Sequence, residues 1–391
     1  GGAVPGVGAV PGGVSGVASC AASVPDCAVP GGAGLCSGAE ASTRRSGLAA
    51  ALLDWLNDHT FPAEAAFADP AHAARMAEAF LDLLLAHGTT TACAFCSVHP
   101  ASAEALFAAS QARGMAMVAG KVMMDRNAPD GLLDSAQQGY DDTTALIARW
   151  HGRDRLRYAI SPRFAITSTP EQLRAAGALV AEHPDLHVQT HLSENLAEID
   201  FTLSLYPQAR DYLDIYDRAG LLGPRTLMGH AIHLSARELA RMAETGTRAI
   251  HCPTSNLFLG SGLFDDHAAR AAGVATGVAT DIGAGTSYSM LATLNEAYKI
   301  AQLKGRRMHP LQTFHWATRG NAIALGMEDE IGQVAPGRAA DLVVLDPRAT
   351  SAMALRADAA GSLAEELFIL QIMGDDRAVV QTYVRGRAMK G

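Results

Sequence analysis

The chain has 391 residues, 49% of them hydrophobic and 18% charged, a balance typical of a globular protein that buries a large core. Its formal net charge of −9 argues against nucleic acid or an anionic membrane surface as the main partner. No apolar run approaches the ~18 residues that a membrane-spanning helix needs, which excludes an integral membrane protein. The length fits two or three domains, or one barrel with a small annex.

The first 47 residues differ in composition from the rest of the chain. They hold 12 of the 38 glycines and half of the cysteines, but only four charged residues. A low-complexity tract of this kind does not build a core by itself, and Cys20, Cys27 and Cys36 lack the spacing of a metal site. The tract also lacks the basic start and unbroken apolar run of a secretory signal. We therefore treat residues 1–47 as a separate, anomalous segment.

From Asp69 onward, helical and strand-like segments alternate. Apolar residues recur every three or four positions in the segments at 71–88, 102–114, 171–183 and 235–246, which predicts helices. Short apolar runs predict seven strands, at 89–95, 115–122, 157–161, 186–191, 226–230, 248–251 and 275–280. This alternation predicts a parallel sheet. Cys93 and Cys96 would point to opposite faces of one strand, which predicts buried structural cysteines in a reducing compartment.

A parallel array of this length forms either an open doubly wound sheet or a closed barrel. The glycine-rich fingerprint that follows the first strand of dinucleotide-binding open sheets is not evident. Instead, four predicted strands have polar residues at or just past their C-terminal ends, where a TIM-type barrel assembles its active site: Arg163, His191 with Glu194, His230 and Asp281. We therefore predict an α/β fold with a (β/α)8 barrel, whose remaining strand falls within the first 47 residues.

The polar residues at the strand ends have the chemistry of a metal site. A neutral imidazole such as His191 can bind zinc, and a nearby carboxylate such as Glu194 can relay protons. His230 ends the next strand, whereas His233 would face away and cap the loop or the following helix. Asp281 leaves an apolar strand, where a carboxylate is costly to bury without a cation. Each residue alone also fits a structural role, but together they recur on strands five, six and eight.

Longer motifs carry a resemblance to a known family. These motifs are LLDWLNDHTFPAE (52–64), GKVMMDRNAPD (120–130), SPRFAITS (161–168), VQTHLSEN (188–195), GHAIHLS (229–235), HCPTSNLFLGSGLF (251–264) and ATDIGAGTSYSML (279–291). From about Leu52 to the C-terminus, the chain resembles the guanine deaminases of the amidohydrolase superfamily. The stretch IGQVAPGRAADLVVLD (331–346) is similar to a tail found in many amidohydrolases.

The resemblance implies zinc-dependent hydrolysis of guanine to xanthine and ammonia, with one zinc ion per subunit of a cytoplasmic homodimer. The family holds zinc with an H-x-H on strand one, a histidine on strand five and an aspartate on strand eight. By motif, the last two ligands are His191 and Asp281. Nucleic acid and membranes are not implied as partners.

The resemblance also implies roles for the neighbouring residues. Glu194 matches the proton shuttle that contacts the purine, and His230 matches the hydrogen-bonding partner of the water molecule at the zinc. Asp281 would share the proton relay with Glu194. Arg163 and Phe164 match the pair that holds the purine carbonyl and stacks on the ring, and His191 and Glu194 complete the substrate-binding set.

The resemblance divides the chain into three parts. Residues 1–47 stand where the family has sandwich strands and the first barrel strand, residues 48–330 form the barrel, and residues 331–391 form the C-terminal part of a small β-sandwich annex. Because its N-terminal partners fall in the anomalous segment, we expect an incomplete sandwich with an exposed apolar edge.

The chain departs from the family at strand one. Its first histidine is His59, so no H-x-H precedes Trp55, and residues 31–51 read GGAGLCSGAEASTRRSGLAAA. Three hypotheses account for this: a reading-frame error or truncation in the gene, a genuine variant with fewer zinc ligands, or an inactive homologue. Because His191 and Asp281, with or without His230, supply only two or three ligands, we expect weak zinc binding and low activity.

Two other functions compete with guanine deamination. Another deaminase of the superfamily would act on cytosine, an adenosine derivative or a triazine, but Arg163, Phe164 and the HCPTSNLFLGSG stretch favour guanine. A catalytically inactive scaffold would keep the barrel, hold no metal and tolerate His191→Ala. A site of histidine and aspartate ligands does not by itself distinguish zinc from iron or manganese.

Overall fold

A computed structural model describes residues 8–10, 14–19, 56 and 60–390. The three cysteines Cys20, Cys27 and Cys36 and the stretch at 31–51, on which sequence predictions were made, lie outside these residues. Among the described helices, none has both the length and the apolar character needed to cross a membrane.

A large parallel sheet forms the centre of the described structure. Its strands are β2 (Val14–Ser19), β3 (Thr89–Phe95), β4 (Ala116–Gly120), β5 (Val122–Met123), β6 (Leu156–Pro162), β7 (His187–Leu192), β8 (Thr226–His230), β9 (Arg248–His251) and β10 (Thr276–Val278). The spatial order β10-β9-β8-β7-β6-β4-β3-β2 follows the chain, and the short β5 pairs with β6. All seven strands predicted from the sequence are confirmed, three of them with the predicted bounds. The sheet thus has eight strand positions in chain order, as the predicted (β/α)8 barrel requires.

The strand β2 comes from the glycine-rich N-terminal segment. It runs parallel to β3, with Val17 opposite Cys93 and Ser19 opposite Phe95. It therefore takes the position of the first barrel strand, which chain order alone predicts to lie within the first 47 residues. The domain limits at residues 47 and 330 stay a prediction.

Helices connect the strands and cover the sheet. They are α1 (Phe61–Ala65), α2 (Pro70–Ala86), α3 (Pro100–Arg113), α4 (Ala136–Trp150), α5 (Pro170–Glu182), α6 (Leu196–Leu205), α7 (Tyr212–Arg218), α8 (Ala236–Thr245), α9 (Pro253–Phe258), α10 (Asp266–Ala271), α11 (Met290–Leu303), α12 (Pro310–His315), α13 (Asn321–Ala324), α14 (Ser351–Ala357) and α15 (Leu363–Met373). The four helices predicted from apolar periodicity correspond to α2, α3, α5 and α8.

Local sequence signals explain where several of these helices begin and end. Proline occupies the first turn of α2, α3 and α5, where its missing N–H group costs no hydrogen bond. Ser235 caps α8 together with Glu238, and Gly246 ends that helix in the left-handed conformation. The cap of α8 is therefore Ser235 and not His233.

Alternating side chains along the strands separate two apolar layers. One cluster consists of small and medium side chains from five strands and the end of β10: Cys93, Ala116, Val118, Ala159, Leu227, Ile250 and Ala279. A larger cluster contains the residues that alternate with these along the strands, together with apolar residues of the surrounding helices and Cys96. Cys93 and Cys96 are both buried and lie in different clusters, as predicted for residues on opposite faces.

A four-stranded antiparallel sheet forms the annex. Its strands β1 (Gly8–Val10), β11 (Leu342–Leu345), β12 (Val379–Val384) and β13 (Arg387–Ala388) lie in the order β1-β11-β12-β13. Thr382 on β12 donates a hydrogen bond of 2.7 Å from Oγ1 to the carbonyl of Leu85, which anchors the annex to the end of α2. Because β11 is paired on both sides and its Val343 and Leu345 are buried, the expected apolar edge does not lie at this strand.

Candidate metal and active site

Three side chains from the strand ends form one cluster of possible metal ligands. His191 is the penultimate residue of β7, His230 is the last residue of β8, and Asp281 lies three residues beyond β10. One ligand atom from each of these residues lies within 4.8 Å of the other two. The barrel therefore brings together the strand-end residues that lie on strands five, six and eight.

The orientation of the His191 imidazole is set by the neighbouring strand. Its Nδ1 lies 2.8 Å from the carbonyl oxygen of Arg163, which also accepts the backbone N–H of His191 at 3.1 Å. Its ring stacks on Phe95, with 4.7 Å between ring centroids. Burial, together with the charge of the nearby His230, lowers the pKa of His191 to about 3. The imidazole is thus neutral at pH 7, with Nδ1–H donating to the carbonyl and Nε2 available to a metal.

His230 is held in a similar way by a side chain of α9. Its Nδ1 lies 2.8 Å from Oδ1 of Asn256, so that Nε2 faces the cluster. Nε2 lies 3.4 Å from Oε2 of Glu194 and 3.9 Å from Oδ2 of Asp281. Burial disfavours the charged ring, but these two carboxylates outweigh it and raise the pKa of His230.

Glu194 lies beside this cluster in an environment that favours a proton on its carboxyl group. Burial raises its pKa, the charge of Asp281 raises it further, and His230 acts in the opposite direction. Its Oε1 accepts a 2.7 Å hydrogen bond from Oγ of Ser261, and its backbone N–H donates to Oε2 of Glu198 at 2.8 Å. The side chain is fixed in place and can hold or release a proton.

The backbone at these strand ends is strained. Ser193, His230, Ala231 and Asp281 have φ angles of 48°, 64°, 49° and 49°, in the left-handed region that residues with a Cβ rarely adopt. Gly285 donates its backbone N–H to the carbonyl of Asp281 at 2.6 Å, and a Cβ there would lie 1.9 Å from the carbonyl of Thr280. Such conformations persist where the surroundings impose them, and they cluster at functional sites.

Arg163 and Phe164 follow β6 and lie next to the histidine cluster. The Phe164 ring meets His191 edge-on, with 6.3 Å between ring centroids. The guanidinium of Arg163 donates from Nη1 to Oε1 of Glu64 at 2.6 Å. Sequence reasoning named the arginine and the phenylalanine but missed Glu64.

The contacts that sequence reasoning missed fall within motifs it had noted. Glu64 closes the 52–64 stretch, and both Asn256 and Ser261 lie in the 251–264 stretch. His233, which was predicted to face away from the cluster and to cap the loop or the following helix, contacts the loop carbonyl of Ser261 through Nε2 at 2.8 Å and is not among the three cluster residues. Their place in these motifs was thus the only sequence feature that pointed to these residues, and it did not indicate what each of them does.

A zinc ion is compatible with the donors that the described residues supply. Two imidazole nitrogens and a carboxylate are ligands that zinc uses, and catalytic zinc sites often have three protein ligands with one position open. A cavity of ≈ 20 Å³ is lined by His191, His230 and Asp281 among other strand-end residues, which is room for one small ion or one water molecule. Within the described part of strand one, β2 reads VSGVAS and supplies no histidine.

Comparisons with known proteins agree with this arrangement. The amidohydrolase family profile matches residues 39–389. The guanine deaminase of Escherichia coli (strain K12) is 50% identical over 336 residues, which cover 86% of this chain and 76% of that protein. The solved structure named E. coli guanine deaminase superposes with a TM-score of 0.88 at 46% identity, covering 97% of this chain and 83% of that chain. A guanine deaminase from C. acetobutylicum, solved with guanine in its active site, has a TM-score of 0.83 at 28% identity, covering 97% and 86%. The chain belongs to the amidohydrolase family.

Proposed function

We propose that this chain is a guanine deaminase that hydrolyses guanine to xanthine and ammonia with the help of zinc. The observation that carries the proposal is the cluster of His191, His230 and Asp281 beside a buried Glu194. Its support from relatives is the 50% identity to the E. coli guanine deaminase over most of the chain. The same proposal includes a cytoplasmic homodimer with one zinc ion per subunit, which the family resemblance implies.

His191 and Asp281 would hold the zinc ion. His230 offers a third donor, because its Nε2 lies in the same cluster and its Nδ1 is already engaged by Asn256. When bound, zinc would supply a Lewis acid that activates a water molecule at neutral pH. The donor set supports this assignment without a contribution from β2.

Glu194 is the residue proposed to move protons. Because its pKa is raised, its carboxyl group can take a proton from the attacking water and hold it. It would then transfer protons to a purine ring nitrogen and to the departing amino group. Asp281 would share the proton relay, and Oε2 of Glu194 lies 3.4 Å from Nε2 of His230, which places the carboxylate beside the proposed metal donors.

Arg163 and Phe164 are the proposed purine-binding residues, together with His191 and Glu194. Phe164 offers a ring for stacking, and the guanidinium of Arg163 can donate hydrogen bonds to the purine carbonyl. Both side chains are mostly buried next to the histidine cluster. A bound purine would therefore lie between the arginine and the proposed zinc site.

Ammonia release from the 391-residue chain, supplied with Zn²⁺, tests this proposal. Guanine should release ammonia faster than adenine, cytosine or an amino-triazine, and Glu194→Gln should abolish the difference by removing the proton relay. A matched control is Glu104→Gln, which alters a carboxylate on α3 that pairs with Arg149 and is not part of the cluster. Faster release from one of the other bases would overturn the assignment to guanine, and no release from any of them would favour the inactive scaffold.

A further inference from the structure

Glu64 makes a buried contact with Arg163 that the proposed reaction does not use. It lies on α1 one helical turn after Phe61 and is fully buried. Oε1 of Glu64 accepts the Arg163 Nη1–H at 2.6 Å, and the guanidinium carbon lies 5.5 Å from the centroid of the Phe61 ring. The short helix α1 therefore holds the arginine head group by an ion pair and by a cation–π contact.

The Glu64 ion pair is a poor source of stability. Burial raises the pKa of Glu64 even though Arg163 lowers it, so the arginine does not fully compensate the lost hydration. Oε2 of Glu64 is buried and accepts no hydrogen bond from the described residues. The pair of Arg155 and Asp341 differs, because both of its carboxylate oxygens accept from the guanidinium. An incompletely satisfied pair next to a functional site favours a role other than stability.

The other contacts of Arg163 show what the Glu64 pair could do. The backbone carbonyl of Arg163 contacts Nδ1 of His191. The main chain of Arg163 is therefore held next to the proposed zinc site. Among the guanidinium nitrogens, Nη1 alone forms a hydrogen bond with another described residue. Within the described residues the remaining N–H groups have no other acceptor and can donate to a ligand, and the ion pair with Glu64 restrains the direction in which they point.

We propose that Glu64 is a positioning residue that aims the remaining donors of Arg163 at the C6 carbonyl oxygen of a bound oxopurine. The inference rests on the proposed function, because the ligand is the purine assigned there. It adds a specificity-determining contact: the α1 carboxylate would favour purines with a carbonyl at C6 over those without one.

Binding of two unreactive purines tests the proposal. Xanthine and 2-hydroxypurine differ in the C6 carbonyl, and neither has an amino group to hydrolyse. Dissociation constants are measured by calorimetry on the full chain supplied with Zn²⁺. We expect Glu64→Gln, which keeps the side-chain shape, to weaken xanthine binding about tenfold and to leave 2-hydroxypurine binding within about twofold. In an Arg163→Gln background, Glu64→Gln should have no further effect on xanthine binding.

The buried Arg155–Asp341 pair provides a matched control. The side chains of Arg155 and Arg163 are 12% and 11% exposed, and those of Asp341 and Glu64 are 1% and 0% exposed. Asp341→Asn should lower the melting temperature without changing the preference for xanthine. Equal weakening of both ligands by Glu64→Gln, or no weakening of either, would overturn the positioning role while the purine site stands. If the unaltered chain binds neither purine, the proposed function fails and this inference fails with it.

Discussion

Removal of His230 tests how many zinc ligands this chain supplies. Structural zinc sites with four ligands bind with roughly 10–16 kcal/mol, or about 3 kcal/mol per ligand, so that one lost ligand weakens binding on the order of a hundredfold. The described residues bring three donors within 4.8 Å of one another, and β2 adds no histidine. We therefore expect His230→Ala to weaken zinc binding by at least a hundredfold. The measurement is a competition titration against a chromophoric chelator, with the visible spectrum of the Co²⁺-loaded protein as a readout of ligand number.

His233→Ala is the matched control for this experiment. His233 lies three residues after His230 in the sequence, but it contacts the carbonyl of Ser261 and is not part of the cluster. Its removal should leave zinc affinity and the Co²⁺ spectrum unchanged. If His230→Ala keeps the zinc affinity of the unaltered chain within about threefold, His230 is not a ligand and acts only as a hydrogen-bonding partner, which would refute the three-donor argument.

Two further predictions concern buried charges. Burial and the charge of Glu194 raise the pKa of Glu198 from 4.5 to about 7, so its carboxyl group stabilises the fold fully only below pH 4.5. That contribution is lost as the pH rises to about 7. Between pH 4.5 and pH 8, the free energy of unfolding of Glu198→Gln should therefore rise by up to about 3 kcal/mol relative to that of the unaltered chain. Denaturant titration measures both values, and a difference that stays constant with pH would contradict the prediction. Lys121 forms a 2.5 Å ion pair with Asp134, and the two side chains are 0% and 4% exposed. Lys121→Met should lower the free energy of unfolding by about 3–5 kcal/mol, because it leaves a buried carboxylate without its cation, and Lys121→Met with Asp134→Asn should recover part of this loss.

The strands and the place of the site were predictable from the sequence because both follow from local patterns. Apolar runs such as 89–95 and 226–230 became strands with the predicted bounds. In a parallel barrel the C-terminal ends of all strands lie at one end, so a polar residue after each run must lie near the others. His191, His230 and Asp281 could therefore be placed together before their contacts were known.

Contacts between segments distant in the sequence were not predictable in this way. Glu64 and Arg163 are 99 residues apart, and His230 and Asn256 are 26 apart, so no periodicity links them. For β2, only its place in the first 47 residues was predicted, and not the residues that form it. Four of its six residues, VSGVAS, are serine, glycine or alanine and favour a strand little, so its pairing with β3 reflects the tertiary setting, in which β3 would otherwise be an unpaired edge.

Among the described residues, contacts outside strand one set the orientation of the three metal donors. The carbonyl of Arg163 fixes the His191 imidazole from β6, and Asn256 fixes the His230 imidazole from α9. The backbone at Asp281 is held by Gly285 within its own loop. A missing H-x-H would thus lower the number of ligands and the zinc affinity, while the three donors that remain would keep their relative positions. For this reason a zinc titration reports on ligand number in this chain more directly than a measurement of folding stability does.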